Sequence, residues 1–208
     1  MNQPAIVLIH GLWTNGMEMW LLGKRLSAAG YTIHRFTYPS HSQTPAENAD
    51  ALADYCHRLS GPEINFICHS LGGLVLRHFF YRYPEAIPGR SITLGTPHNP
   101  SSSAFNLGRN RLGRLSLGKS IDQGLAGDVP SWEGCQELGV IAGTLRLGLG
   151  CLVSKRSSPG DGTVLLSEAR LAGMTDYIEL PVSHFGLLLS RQVARQCLQF
   201  LKEGRFSH

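Results

Sequence analysis

Short apolar runs alternate along the chain with longer stretches whose apolar positions recur every three or four residues. Residues 5–10 (AIVLIH) and 64–68 (INFIC) are almost wholly apolar, as expected of strands buried on both faces. Residues 32–38, 91–94, 137–143 and 176–180 read as further strands. Helical spacing predicts a helix over 16–29, with Gly30 as its stop, and another from Pro45 to about Leu59. Thr44 is the expected N-cap of that second helix, with Pro45 at its first position. Residues 71–83 form a third predicted helix, and 185–203 close the chain as a single one. Strands and helices in alternation predict an α/β fold, a mostly parallel sheet with helices on both faces. Residues 99–135 interrupt the rhythm. They are rich in Ser, Gly and Arg without a strong period, and read as a long loop with short helices.

Length and composition narrow the picture. The 208 residues suit one domain with a substantial core, and no linker or internal repeat divides them. An apolar fraction of 42% against 16% charged residues is that of an ordered globular chain. A net charge of +4, without a concentrated basic face or a recognisable module, argues against nucleic-acid binding. The apolar run near the N-terminus has no basic residues before it and is too short to span a bilayer, so with Met1 as the start the expected location is the cytoplasm. The five cysteines (Cys56, Cys68, Cys135, Cys151, Cys197) lack metal-ligand spacing and are expected as buried thiols in a reducing compartment. No nucleotide loop or metal cluster appears in the sequence, so no cofactor is expected.

The chemistry concentrates at FICHSLGGL, residues 66–74, where an apolar run meets a predicted helix. A serine hydroxyl is a poor nucleophile unless a base takes its proton and an acid orients that base. A sharp strand-to-helix turn exposes the side chain to such a base. The crowding there favours small residues two positions before and two after the nucleophile. Gly72 meets the second requirement and Gly73 adds room, but Cys68 stands at the first. Its thiol should point back into the fold and remain protonated, as a packing residue.

Several motifs in fixed order carry a family resemblance: VLIHGLW at 7–13, FICHSLGG at 66–73, ITLGTPH at 92–98, DGTVLLSEA at 161–169 and VSHFGLLLSRQV at 182–193. Together they resemble the α/β-hydrolase superfamily, and within it the small bacterial lipases and esterases of minimal fold. The resemblance implies Ser70 as nucleophile, Asp161 as acid and His184 as base, in the chain order that this fold uses. Independently of it, Asp161 and His184 fall in loops beyond predicted strand ends, on the sheet edge that carries Ser70. Glu168 and Asp128 are the next carboxylates considered for the acid. His69 adjoins the serine, but the turn should send its ring elsewhere. The resemblance also implies an oxyanion hole from the backbone N–H of Leu71 and from the loop after the first strand, with Leu12 as donor and Trp13 as the near alternative. His10, Trp13 and His98 are candidate pocket residues. His34, His41, His57, His78 and His208 are read as surface or packing residues.

The activity implied is hydrolysis of carboxylic esters, as an esterase or lipase acting on a small-molecule or lipid ester. Thioesterase, amidase and acyltransferase chemistry would use the same residues, and a non-catalytic binding protein on this fold is the rival from another class. Residues 99–135 lie where the family often carries a cap or lid. Phe105, Leu107, Leu112, Leu115 and Leu117 alternate there with Arg109, Arg111, Arg114 and Lys119. The segment is either a solvated basic loop or an amphipathic cover suited to transient contact with a lipid surface or an acidic partner.

Overall fold

The computed structural model describes residues 4–59, 63–84, 89–133, 136–147 and 158–208. The expectations for Met1, Cys135 and Cys151 lie outside the described residues. Strands β1 (Ala5–Ile9), β2 (Thr32–Phe36), β3 (Ile64–His69), β4 (Arg90–Leu94), β5 (Glu137–Gly143) and β6 (Asp176–Leu180) make one sheet in the order β2-β1-β3-β4-β5-β6. Every pairing in it is parallel. The sequence reading of an α/β fold with a parallel sheet therefore holds.

Alternation along each strand divides the core into two layers. Val7, Ile9, Phe66 and Cys68 face one way, toward Leu52 of α2 (Pro45–His57) and Leu74, Val75 and Phe79 of α3 (Gly72–Arg82). Ile6, Leu8, Ile67, Ile92 and Leu94 face the other way, toward Leu22 and Leu26 of α1 (Trp20–Ser27) and Val193, Cys197 and Phe200 near the C-terminus. Burying one such large side chain contributes about 1.5–3 kcal/mol. A strand with both faces covered thus needs no polar alternation, and β1 has none.

Two helical expectations change in detail. The stretch read as a helix over 16–29 begins with a single 3-10 turn at Met17–Met19 before α1. The closing helix is broken in two, α7 (Gly186–Leu189) and α8 (Arg191–Glu203). Ser190 between them is extended, with φ −72° and ψ 131°, and its Oγ accepts the N–H groups of Gln192 and Val193. A serine that can cap a new helix ends the old one, and helical periodicity does not register that choice.

Between β4 and β5 the chain forms α4 (Ser102–Leu107) and α5 (Arg111–Leu117), capped by Ser101 and Asn110. A further short helix, α6 (Leu166–Ala169), precedes β6. Among the described residues, no helix is long and apolar enough to cross a membrane.

Candidate active site

The carboxyl ends of β1, β3 and β4 meet at Ser70. The serine directly follows β3 and has φ +52°, a left-handed conformation that costs a residue with a side chain energy. Its backbone is locked there. The Ser70 N–H donates to the Leu94 carbonyl at 3.0 Å, and the Ser70 carbonyl accepts from Thr96 Oγ1 at 2.8 Å and from the Gly73 N–H at 3.1 Å. α3 starts two residues later, aiming the positive end of its dipole at the turn.

Gly72 permits the turn. A Cβ there would stand 2.6 Å from the Ile9 carbonyl oxygen and 2.7 Å from that of His10, so any side chain would push α3 off the end of β1. Cys68 meets no such wall. It lies fully buried in the core layer with Val7, Ile9 and Phe66, and burial pushes its thiol well above the ordinary thiol range. Cys56 and Cys197 are likewise free and buried.

Against the ring of His69, the residue before the serine, lies a buried histidine–carboxylate pair. His184 Nδ1 stands 2.7 Å from Asp161 Oδ2. The other carboxylate oxygen accepts the N–H groups of Thr163 and Val164 at 2.8 and 2.7 Å, while the His184 N–H donates to the Asp161 carbonyl at 3.0 Å. Asp161 is thus fixed at both oxygens and His184 at its ring and backbone. Gly95, at φ +57°, passes directly beneath: a Cβ there would be 2.9 Å from Asp161 Oδ2 and 3.1 Å from His184 Nδ1.

His69 takes a part that the sequence reading did not give it. Its ring packs against that of His184 with centroids 4.7 Å apart, and its Nε2–H donates to the His184 carbonyl at 3.3 Å. Burial, and then the neighbouring His184, hold the His69 imidazole well below its ordinary value, so it stays neutral. The two reserve carboxylates are engaged elsewhere. Glu168 accepts the N–H groups of Ser102 and Leu165, tying the start of α4 to the Asp161 loop, and Asp128 accepts those of Gln123 and Gly124.

The loop after β1 closes the other side. A Cβ on Gly11 would lie 3.1 Å from Ser70 Cβ, which sets this loop against the serine. His10 folds the loop. Its Nε2 accepts the Tyr38 N–H, which leaves the proton on Nδ1 to donate to the Gly11 carbonyl, and its ring stacks on Tyr38 at 4.2 Å. Burial lowers its imidazole against those hydrogen bonds. Both ring nitrogens of His10 thus serve the protein. His98 is bonded to Thr93 Oγ1 at 3.0 Å, and its carbonyl accepts from Arg77; none of these bonds reaches Ser70 or His184. Trp13 is exposed, and its indole N–H donates to the Ser116 carbonyl of α5 at 2.7 Å. Among the described residues, the backbone N–H groups of Leu12 and Leu71 have no protein acceptor, and no group of three His, Cys, Asp or Glu side chains is arranged to hold a metal ion.

Comparison with known proteins gives the family: a model of the alpha/beta hydrolase family matches residues 6–190. The chain belongs to that family. It is 23% identical over 189 residues to the pimeloyl-[acyl-carrier protein] methyl ester esterase of Chromobacterium violaceum, covering 88% of this chain and 74% of that one. The mature form of a Bacillus licheniformis lipase superposes with a TM-score of 0.75 at 20% identity, over 97% of this chain and 92% of the lipase. The enol-lactonase of Burkholderia xenovorans does so with a TM-score of 0.65 at 17% identity, over 98% and 93%. At those identities the two structures speak for the alpha/beta hydrolase fold alone.

Proposed function

We propose that this protein hydrolyses carboxylic esters through an acyl-enzyme on Ser70, with His184 as base and Asp161 as acid. The observation that carries the proposal is the buried Asp161–His184 pair, 2.7 Å between Oδ2 and Nδ1, packed against His69, whose neighbour Ser70 is presented at φ +52°. His184 takes the serine proton as the hydroxyl attacks the ester carbonyl, and Asp161 stabilises the imidazolium and fixes its tautomer. The oxyanion of the tetrahedral intermediate is bound by the Leu12 and Leu71 N–H groups, each such donor being worth about 10²–10³-fold in rate. His184 returns the proton to the leaving alcohol, then activates water against the acyl-enzyme. The histidine bond to Asp161 uses Nδ1, which leaves Nε2 for the serine and the leaving group.

Residues 99–135 act as the cap. α5 directs Leu112 and Leu115 outward, 79% and 69% exposed, and Phe105 of α4 is 74% exposed. Arg109, Arg111 and Arg114 are exposed in the same segment, which has no carboxylate between residues 99 and 121. An apolar and cationic cover of this kind suits esters with an apolar acyl chain. The names of the relatives, an esterase, a lipase and a lactonase, agree with ester substrates.

The test is turnover of p-nitrophenyl esters of increasing acyl length by the native protein and by Ser70→Ala. The native protein is expected to release nitrophenol and to be labelled on Ser70 by a fluorophosphonate, and the variant to do neither. A native protein that is neither active nor labelled refutes the proposal. The acyl-length profile distinguishes esterase from lipase.

A further inference from the structure

The loop that follows β1 is fastened at its two shoulders and at its crest. At the near shoulder the His10 ring and Thr14 Oγ1 both donate to the Gly11 carbonyl. At the far shoulder Thr37 Oγ1 donates to the Asn15 carbonyl. The crest is Trp13, and its only hydrogen bond among the described residues is the 2.7 Å contact from Nε1–H to the Ser116 carbonyl. That carbonyl lies in the last turn of α5, where backbone acceptors lack intrahelical partners.

Trp13 also has φ +62°, a conformation that a bulky side chain keeps only when its surroundings hold it. The α5 end is itself anchored from below: His41 Nε2 stands 2.8 Å from the Leu115 carbonyl, and the Lys119 N–H donates to the His41 carbonyl at 2.9 Å. The strained residue is therefore tied to a fixed point. Its amide is the one that joins it to Leu12, and Gly11 on the other side of Leu12 packs on Ser70.

We propose that Trp13 is a positioning residue that couples the β4–β5 segment to oxyanion binding. The 11–12 peptide, which carries the Leu12 N–H, is held at the Gly11 carbonyl by His10 and Thr14, and the indole tie holds the strained 12–13 peptide that follows, so Leu12 and its donor are clamped from both sides. Without the tie the far side of Leu12 is released and its donor misaligned, so the hold of α5 on Trp13 is read in the rate of the chemical step. This rests on the reading of Ser70 as nucleophile and Leu12 as donor.

Trp13→Phe keeps an apolar ring and removes the donor. Its expected effect is a fall in kcat for p-nitrophenyl butyrate of about tenfold, a fraction of what deleting an oxyanion donor costs. KM should stay within about twofold of the native value, because the aligned Leu12 donor favours the transition state over the bound ester. A trifluoromethyl ketone that forms a tetrahedral adduct on Ser70 should bind more weakly by the same factor as the loss in kcat. The melting temperature should move by no more than about 2 °C. Trp13→His, which restores a ring N–H, should recover part of kcat.

An unchanged kcat overturns the inference. So does a rise in KM alone with undiminished ketone affinity, which would make Trp13 a pocket wall, or a kcat loss that tracks a lowered melting temperature, which would make it a strut. A native protein without turnover or fluorophosphonate labelling overturns the nucleophile reading and this inference together. An active native protein with an indifferent Trp13→Phe overturns this inference alone.

Discussion

The strain at Ser70 has a measurable sign. Both Ser70→Ala and Ser70→Gly remove the hydroxyl, so its interactions cancel in their comparison. They differ in what φ +52° costs. A residue with a Cβ in the left-handed region bears about 1–2 kcal/mol, whereas glycine bears almost none of it. Against this, glycine loses about 0.5–1 kcal/mol more conformational freedom on folding. The balance leaves Ser70→Gly more stable than Ser70→Ala by about 0.5–1 kcal/mol. The strain cannot relax in the alanine protein, because the bonds from Ser70 N–H to Leu94 and from Thr96 and Gly73 to the Ser70 carbonyl hold the backbone in place. Ala51, exposed on α2, is the control: there the glycine variant should be less stable by about 1 kcal/mol. Urea unfolding followed by circular dichroism gives both differences, and at this chain length the first corresponds to about 1–4 °C in melting temperature. A Ser70→Gly protein no more stable than Ser70→Ala would refute the argument that the turn stores strain.

Asp161→Asn should lower kcat by a factor on the order of 10⁴ while leaving the circular dichroism spectrum intact, because the histidine would lose the carboxylate that fixes its tautomer; unchanged activity would reassign the acid. Gly95→Ala should lower both stability, by about 1–3 kcal/mol, and activity, since its Cβ would stand 2.7 Å from Leu187 Cδ1 and 2.9 Å from Asp161 Oδ2 at a positive φ; thermal unfolding and ester turnover read the two effects, and a fully active Gly95→Ala protein would contradict the placement. His98→Gln should flatten the fall in stability between pH 6.5 and about 3. Burial, and then the Arg77 guanidinium, push the His98 imidazole down to about 3. The unfolded chain therefore takes up its proton first, and the contribution of His98 is complete above its unfolded value and lost as pH falls toward the folded one. Denaturant midpoints for both proteins across that range measure this, and parallel curves would count against it.

The sheet was legible because β1 and β3 are covered on both faces, and a strand so covered shows itself as an apolar run. α2 was legible at its start for a local reason. Thr44 accepts the Glu47 N–H while Glu47 accepts the Thr44 N–H, so the cap is written in four neighbouring residues. The end of α7 was not legible, since Ser190 serves equally well within a helix or before one until α8 packs. The candidate site divides in the same way. Ser70, Asp161 and His184 could be named as candidates because the family resemblance rests on short local motifs, with loop position and order along the chain in agreement. Gly95 beneath the pair, His69 against His184 and the indole tie of Trp13 depend on approaches between segments far apart in the chain, 115 residues for His69 and 103 for Trp13. No local pattern encodes them.

The departure at Cys68 shows how unequal the two small positions of the strand-to-helix turn at Ser70 are. Cys68 still belongs to β3 and pairs with Ile9 on one side and Thr93 on the other. Strand alternation sends its side chain into the layer beneath α2 and α3, where the core can close around a thiol as it closes around Val7 or Phe66. Gly72 belongs to the first turn of α3, and what faces it is the backbone of β1, which cannot repack. A side chain at the first position displaces other side chains, whereas one at the second displaces the strand whose loop carries Leu12. The demand for a small residue before the serine is therefore a packing preference. The demand after it is geometric, because the same close approach that excludes a Cβ at Gly72 brings the β1 loop within reach of Ser70.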